Sequence, residues 1–345
     1  GCRDVRVVDR STARNFMKYL NTARSNYAET NKRIASGNRF EKISEDVVAG
    51  TKVMRLRTNL CKAETQLDNI KSAQEELRAA ETAMTSINDV LTSAYAEKIV
   101  AALSEEKGEL GRIAIADEIR AMLDEMLQYA NTKHSSRYVF GGSNSSYTAP
   151  FTLSSEGKLL YNGIDVDLIQ QDSDGSYYYM NAGVKTKIYL DTDVFFDIGL
   201  GIKLKGTEVD PNTGFKISYS GLEILGFGRN SEGLSNNIFN VLSEIEKNIR
   251  NYDSEKLNKL QSHFRTLCDA FRSNLTNIGT QTKLLDTMEE RLNNSIDSYK
   301  ERIKNLMGID DAEEVMNQSM NEYVLKAILQ MGAKLLPVTL MDFLW

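Results

Sequence analysis

Long stretches of the chain place apolar residues at alternating steps of three and four positions, the spacing that predicts helices with a narrow apolar seam. One seam starts near residue 53 and is built from Val53, Leu56, Leu60, Ala63, Leu67, Ile70, Ala73, Leu77, Ala80, Met84, Ile87, Leu91 and Ala94. A matching seam follows between residues 238 and 306. Because one helix cannot bury a narrow seam alone, we expect the first seam to pack against the last.

The middle of the chain breaks this pattern. Of the 22 glycines, 14 lie between residues 138 and 233, a range that also holds half of the aromatic residues. Short runs rich in β-branched and aromatic residues alternate there with turn signals such as Asp174-Gly175. The predicted strand runs are KLLYNGIDVDLIQ, SYYYMNAG, KTKIYLDTDVFFDI and GFKISYSGLEI.

The predicted fold class is therefore mainly α with an inserted β domain. A long antiparallel helical bundle, or coiled-coil rod, is built from N- and C-terminal segments and carries terminal helical arms. The predicted division is an N-terminal arm over 1–43, the first half of the rod over 44–137, the β insert over 138–233, the second half of the rod over 234–306 and a C-terminal arm over 307–345.

Each terminal arm has an apolar stripe and little else to bury it against. The N-terminal stripe is Phe16, Leu20, Ala23, Tyr27 and Ile34, and the C-terminal one is Met316, Met320, Tyr323, Val324, Ala327, Ile328, Met331 and Leu335. The two arms can pack on each other as a two-helix end piece, or they can pack on neighbouring copies. Since a lone helix pair of this size is marginal in water, burial between copies is the favoured hypothesis.

The joint between the first arm and the rod is well marked. Gly37 follows a run of helix-forming residues, as a C-cap glycine does, and Arg39 comes just after it. Ser44 is predicted as the N-cap of the next helix, with Glu45 and Asp46 as acidic residues of its first turn.

Charge and hydropathy exclude several classes of partner. The net charge of −6 with no basic cluster argues against nucleic acid and against an anionic membrane surface. The first twenty residues carry repeated charges and no apolar core of a signal peptide. The apolar C-terminal run from Val324 is broken by Lys326, Lys334 and Pro337, so no membrane span is expected.

The chain lacks recognisable catalytic or metal-binding patterns. Cys2, Cys61 and Cys268 have no paired spacing, and the latter two are interpreted as small buried apolar residues of helices. His134 and His263 stand outside any ligand cluster. Because no phosphate loop, dinucleotide fingerprint or nucleophile elbow is present, we expect neither an enzyme nor a cofactor or metal.

At the joint the sequence resembles bacterial flagellin and its relatives. SGNR, residues 36–39, and SEDVVAG, residues 44–50, are similar to the Ser-Gly-Lys/Leu-Arg-Ile and Ser/Lys-Asp-Asp-x-Ala-Gly sequence of that family. RVVDRSTARNFMKYL near the N-terminus, RYVFGGSNSSYTAPF at 137–151 and LLPVTLMDFLW at 335–345 look most like the hook-filament junction branch of the family, the hook-associated protein 3 type.

The resemblance implies a passive adaptor in the bacterial flagellum. Such a protein is exported to the cell exterior through the flagellar type III apparatus and assembles with copies of itself between the first hook-associated protein and flagellin. It also implies that a cytosolic export chaperone binds the C-terminal arm.

Two alternatives stay open at this point. A filament flagellin has the same plan, although its usual Arg-x-Arg-Glu-Leu element is replaced here by SAYAE at 93–97. A secreted coiled-coil adhesin or effector is the more remote alternative.

Overall fold

The computed structural model describes residues 2–104, 108–142, 148–188, 195–197, 204–205, 208–209, 214–216 and 219–341. For residues 2–10, for the short strands between 195 and 216 and for residues 334–341, the description covers the backbone alone. The chain divides into two compact units, one formed by the chain up to Glu64 together with the chain from Asn294, the other by Thr65–Asn293.

Long helices dominate the described chain. They are α1 (Cys2–Ser36), α2 (Val47–Ser93), a π-helical turn (Ala94–Ile99), α3 (Val100–Ala102), α4 (Glu109–Ala130), α5 (Gly221–Leu225), α6 (Ile238–Asn251), α7 (Ser254–Met307) and α8 (Asp311–Met341).

Short antiparallel strands lie between α4 and α5. They are β1 (Lys133–His134), β2 (Arg137–Tyr138), β3 (Phe151–Leu153), β4 (Leu159–Tyr161), β5 (Ile164–Asp165), β6 (Ile169–Gln171), β7 (Tyr177–Asn181), β8 (Val184–Ile188), β9 (Phe195–Asp197), β10 (Leu204–Lys205), β11 (Glu208–Val209) and β12 (Gly214–Lys216). The sheets have the orders β1-β2, β3-β4-β5, β6-β7-β8, β12-β9 and β10-β11.

The two seams pair as predicted, with α2 antiparallel to α7. In the larger unit, the side-chain amide of Gln74 donates to Asp286 at 2.7 Å, and farther along α2 Arg272 of α7 donates to Asn88 at 3.2 Å. As the residue number rises along α2, the number of its partner on α7 falls, so the two helices run antiparallel. In the smaller unit the same order holds, since Glu64 faces Lys300 at 3.9 Å.

One continuous apolar core fills the larger unit. Seam residues such as Leu77, Met84 and Ile87 are fully buried in it, together with Phe264 and Phe271 of α7. The core continues into the β region, where the buried side chains include Phe151, Tyr161 and Ile169. Fold class is therefore confirmed: long helices carry an inserted β region, whose first sheets share a core with the helices.

Polar side chains fasten the β region to the helices. The Asn131 amide at the end of α4 donates to the Phe151 carbonyl at 2.9 Å, and its oxygen accepts from the Phe151 amide at 3.0 Å. Buried Asp167 accepts from Arg229 at 3.0 Å, from Asn240 of α6 at 3.1 Å and from the hydroxyl of Ser235. This network fixes the segment that leads from the β region into α6.

Three expectations differ from the structure. The GLEI end of the last predicted strand run is the helix α5, because the Ser220 hydroxyl accepts from the Glu223 amide at 3.3 Å and caps it. Cys61 is exposed on α2 and is not a buried apolar residue, whereas Cys268 is buried as expected. The β structure begins at Lys133, ahead of the predicted start at 138.

Some predicted features fall outside the described residues. These are the serine-rich part of the 137–151 stretch, at 143–147, much of the run between 189 and 218, and the last four residues. No helix in the described chain has the length and apolar character needed to cross a membrane.

Candidate assembly surface on the terminal helix pair

The arms predicted from the sequence are α1 and α8, which pack antiparallel within the smaller unit. The Asn321 amide of α8 donates to the Thr30 hydroxyl of α1 at 2.7 Å. One residue farther along α1, the Asn31 side chain accepts from Gln318 at 2.6 Å. The arms therefore meet within one chain, which is the hypothesis that the sequence favoured less.

The N-terminal stripe is the face of α1 that packs in this pair. Ala23 is buried, while Phe16, Leu20, Tyr27 and Ile34 are half-buried. These positions recur at steps of three, four and seven, so they lie on the same side of α1 as Thr30, which bonds to α8. The predicted residues of α1 therefore lie on the face that packs against α8 of the same chain.

The face of α8 that meets α1 was largely missed from the sequence because it starts with polar residues, and only Ile328 of its members belongs to the predicted stripe. Its members, spaced by three or four positions, are Glu314, Gln318, Asn321, Leu325, Ile328 and Gly332, all buried or half-buried. Arg33 of α1 lies 3.7 Å from the buried Glu314 carboxylate. The usable signal was the heptad spacing of Gln318, Asn321 and Leu325, once amides are allowed in a seam.

The predicted C-terminal stripe lies mostly on another face of α8, and that face is exposed. Tyr323 is 74% exposed, Met316 62% and Met320 61%. The other exposed members are Val324 and Met331, the half-buried ones are Ala327 and Ile328, and Leu335 lies beyond the described side chains. We call Met316, Met320, Tyr323 and Met331 the Met/Tyr stripe.

Exposed residues of this kind in a row are unusual on a helix surface. Single exposed apolar residues are common, but contiguous apolar patches on soluble proteins mark contact surfaces. Methionine adapts its shape to the surface it meets, and tyrosine combines a large apolar ring with a polar tip. The Met/Tyr stripe therefore presents adaptable apolar side chains on an exposed face of α8.

The joint between α1 and α2 is compact and differs in one respect from its prediction. Gly37 ends α1 with a φ of +68°, and its amide donates to the Arg33 carbonyl at 2.8 Å, as predicted for a C-cap. The helix α2 begins at Val47, and its N-terminal cap is Asp46, which accepts from the Ala49 amide at 2.9 Å. Ser44 is therefore not the cap.

Arg39 links the two ends of the joint. Its guanidinium donates to the other Asp46 oxygen at 2.8 Å, so one carboxylate both caps α2 and pairs with the residue that follows α1. Ser44 lies inside the loop that Arg39 and Asp46 close. An aspartate two residues beyond a serine competes well for the cap position, which explains the error.

Surface ion pairs surround the terminal pair and raise two lysine pKa values. The hydrogen bond that Lys32 donates to Glu41 raises the pKa of Lys32, and the one that Lys326 donates to Glu322 raises the pKa of Lys326. Both ammonium groups are exposed, so these pairs orient side chains and add little stability. In the described part of the chain no three His, Cys, Asp or Glu side chains come together in a group that could hold a metal ion.

Comparison with known proteins finds a family model that matches the N-terminal part of the chain. Residues 9–145 match the model described as "Bacterial flagellin N-terminal helical region". The match includes the joint and most of α1 and all of α2. The resemblance to flagellin predicted from SGNR and SEDVVAG is confirmed over this region. No curated protein matches the chain significantly.

Solved structures give the fold. A flagellar hook-associated protein of Vibrio parahaemolyticus has a TM-score of 0.54 at 15% identity, and the alignment covers 76% of this chain and all of that one. FlgL of Bacillus cereus aligns at 21% identity over 72% of this chain and 98% of its own, with a TM-score of 0.49. Hook-associated protein 3 of Legionella pneumophila aligns at 17% identity over 74% of this chain and 98% of its own, with a TM-score of 0.49.

The shared fold is inferred from the Vibrio structure, which exceeds a TM-score of 0.5. The flagellin match over residues 9–145 supports a structural role in the flagellum.

Proposed function

We propose that this chain, with its flagellin N-terminal helical region, is an adaptor of the bacterial flagellum that joins the hook-associated ring to the flagellin filament. It polymerises through its terminal helices. The proposal rests on the Met/Tyr stripe, an apolar face of α8 that stays exposed although the other face of the same helix is packed on α1.

Covering the stripe supplies the driving force for assembly. Full burial of one large apolar side chain contributes about 1.5–3 kcal/mol, and the stripe has four such side chains in a single chain. A head-to-tail contact of this kind between copies produces a helical tube or a closed ring. The same surface then serves contacts with copies of the chain, with the first hook-associated protein and with flagellin.

Before assembly the stripe needs protection from non-specific contacts. A cytosolic export chaperone that binds the C-terminal arm, centred on Val324–Leu335, fulfils this role. The chain is then exported through the flagellar type III apparatus and acts outside the cell. In this scheme residues 44–137 and 234–306 make the lateral contacts, and residues 138–233 face solvent.

A filament flagellin is the second candidate function, since the family match covers flagellin itself. Deletion of the gene separates the two. Loss of the adaptor leaves flagellin synthesis and export intact, so full-length flagellin accumulates in the medium and filaments are missing. Loss of a filament flagellin leaves no such protein to accumulate.

The experiment compares the deletion strain with the same strain carrying the full chain. Restored filaments and disappearance of free flagellin support the adaptor. A strain that keeps its filaments after the deletion, or that exports no flagellin, contradicts it. Cryo-imaging of the hook-filament junction with the labelled chain then locates the subunits directly.

A further inference from the structure

The connection between α7 and α8 is hydrogen-bonded to the connection between α1 and α2. Asn38 lies opposite Gly308 as an isolated antiparallel β-bridge. The Arg39 amide, next to this bridge, donates to the Met307 carbonyl at 2.6 Å. Two connections that are remote in sequence are therefore neighbours in the smaller unit.

The second bond of the bridge runs in the opposite direction. The Ile309 amide donates to the Gly37 carbonyl at 3.3 Å. Gly37 adopts a left-handed conformation, which other residues rarely take, and a Cβ at Gly308 would lie 2.6 Å from the Lys304 carbonyl oxygen. The backbone conformation therefore requires glycine at 37, and the close approach of the Lys304 carbonyl requires it at 308.

An apolar cluster closes the joint. Phe40, two residues beyond the bridge, is buried together with Ala49 and Val53 of α2 and Met307, the last residue of α7. The guanidinium of Arg57 approaches the Met307 sulfur at 3.4 Å. Opening either connection would expose Phe40 and break a hydrogen bond made by the other.

We propose that residues 37–40 and 307–309 form one closed joint, which couples the two connections so that α1 and α8 change orientation together and only after the joint opens. The inference concerns the single chain and does not depend on the adaptor function. Its consequence for assembly is preorganisation: a helix pair whose orientation is already fixed loses less entropy when it meets its neighbours.

The test measures amide hydrogen exchange of the full-length monomer by mass spectrometry, with peptides that cover 38–42 and 308–311. Gly308→Ala perturbs the second connection through the contact with Lys304. Coupling predicts that exchange rises about tenfold at Ile309 and equally at Arg39, although Arg39 is in the other connection. Phe40→Ala perturbs the first connection, and the expected rise then includes Ile309.

Val47→Ala is the matched control, because this exposed first residue of α2 lies near the joint but outside the Phe40 cluster. It should leave exchange at both amides unchanged. If Gly308→Ala accelerates Ile309 alone, and Phe40→Ala accelerates Arg39 alone, the connections open independently and the coupled joint is wrong. Phe40→Ala leaves both glycines in place, so exchange at Ile309 in this variant still tests the coupling if Gly308→Ala fails to fold.

Discussion

The ring of Phe16 in α1 occupies the space that a side chain at Gly332 in α8 would need. A Cβ at position 332 would lie 2.3 Å from the Cζ atom of the ring, well inside any tolerated contact. Gly332 is buried, and Phe16 is half-buried on the face that carries the N-terminal stripe. The aromatic ring therefore fits into a gap in α8 that only glycine leaves open.

Gly332→Ala should loosen the terminal helix pair. Because the added methyl group overlaps the ring, we expect a loss of about 1–3 kcal/mol in the free energy of local opening. Hydrogen exchange of peptides from residues 12–34 measures it. Phe16→Ala alone also destabilises the pair, but in the Gly332→Ala background it should cost less, since the overlap has been removed.

The neighbouring exposed Ala333 provides the control for that pair of variants. Ala333→Ser changes α8 by one atom on its outer side and should leave exchange in α1 unchanged. Strictly additive effects of Phe16→Ala and Gly332→Ala would show that the ring and the glycine do not interact.

Capping of α2 provides a second prediction. Asp46→Ala removes the side chain that accepts from the Ala49 amide, so the protein should lose about 1 kcal/mol of stability. Arg39→Ala leaves the cap in place and removes the exposed ion pair with Asp46 and the contact of the guanidinium with the Phe40 ring at 5.8 Å, so it should cost less. Denaturant unfolding followed by circular dichroism compares them with Ser44→Ala, which should change stability by no more than about 0.5 kcal/mol. A larger effect of Ser44→Ala than of Asp46→Ala would restore Ser44 as the cap.

These two regions show what the sequence could and could not predict. Leu77 and Met84 belong to a strongly periodic apolar seam, and a seam of that kind has few alternatives to helix pairing. The α8 face built from Gln318 and Asn321 pairs just as specifically, but amides carry no apolar signal. Their hydrogen bonds to Asn31 and Thr30 are visible only once the two helices are side by side.

The predicted start of α2 and the strand predicted over α5 were wrong for a related reason. Ser44 and Asp46 are both good caps, and the choice between them depends on Arg39, whose side chain fixes Asp46. The run GFKISYSGLEI has strand-like composition throughout, yet Ser220 starts a helix within it. Which members of the predicted α8 stripe stay exposed was likewise out of reach, because the spacing of apolar residues does not reveal which face of α8 meets α1.

Cys268 predicts a pH dependence of stability. Burial raises the pKa of its thiol from 9.0 to about 12, so between these values the unfolded chain loses a proton that the folded chain keeps. The contribution of this thiol to the free energy of unfolding should therefore be constant below about pH 9. Above that pH it should fall as pH rises, by at most about 1.4 kcal/mol per pH unit. Denaturant unfolding at several pH values measures the slope.

The control for this slope is Cys268→Ala. Other groups also titrate at high pH, among them the buried Tyr161, whose pKa burial raises in the same direction. They act equally in both proteins, so the difference between the two curves belongs to Cys268. In a Cys2→Ser, Cys61→Ser background, the remaining thiol should also react with Ellman's reagent only after unfolding. Rapid labelling of the folded protein at pH 8 would contradict its burial.

The Met/Tyr stripe predicts that assembly can be abolished without unfolding the chain. In a triple variant, Met316→Lys, Met320→Lys and Tyr323→Lys, the new charges lie on the exposed face of α8 and should change the stability of the monomer by no more than about 0.5 kcal/mol per site. Burial of three lysines against a neighbouring subunit is strongly unfavourable, so incorporation into the flagellum should be lost. Ala333→Lys adds charge to an exposed position on another side of the same helix and serves as the control. Immunoblots of purified flagella, compared with the amount of chain exported into the medium, separate failed assembly from failed export. A triple variant that assembles as well as the control would show that partners contact α8 elsewhere.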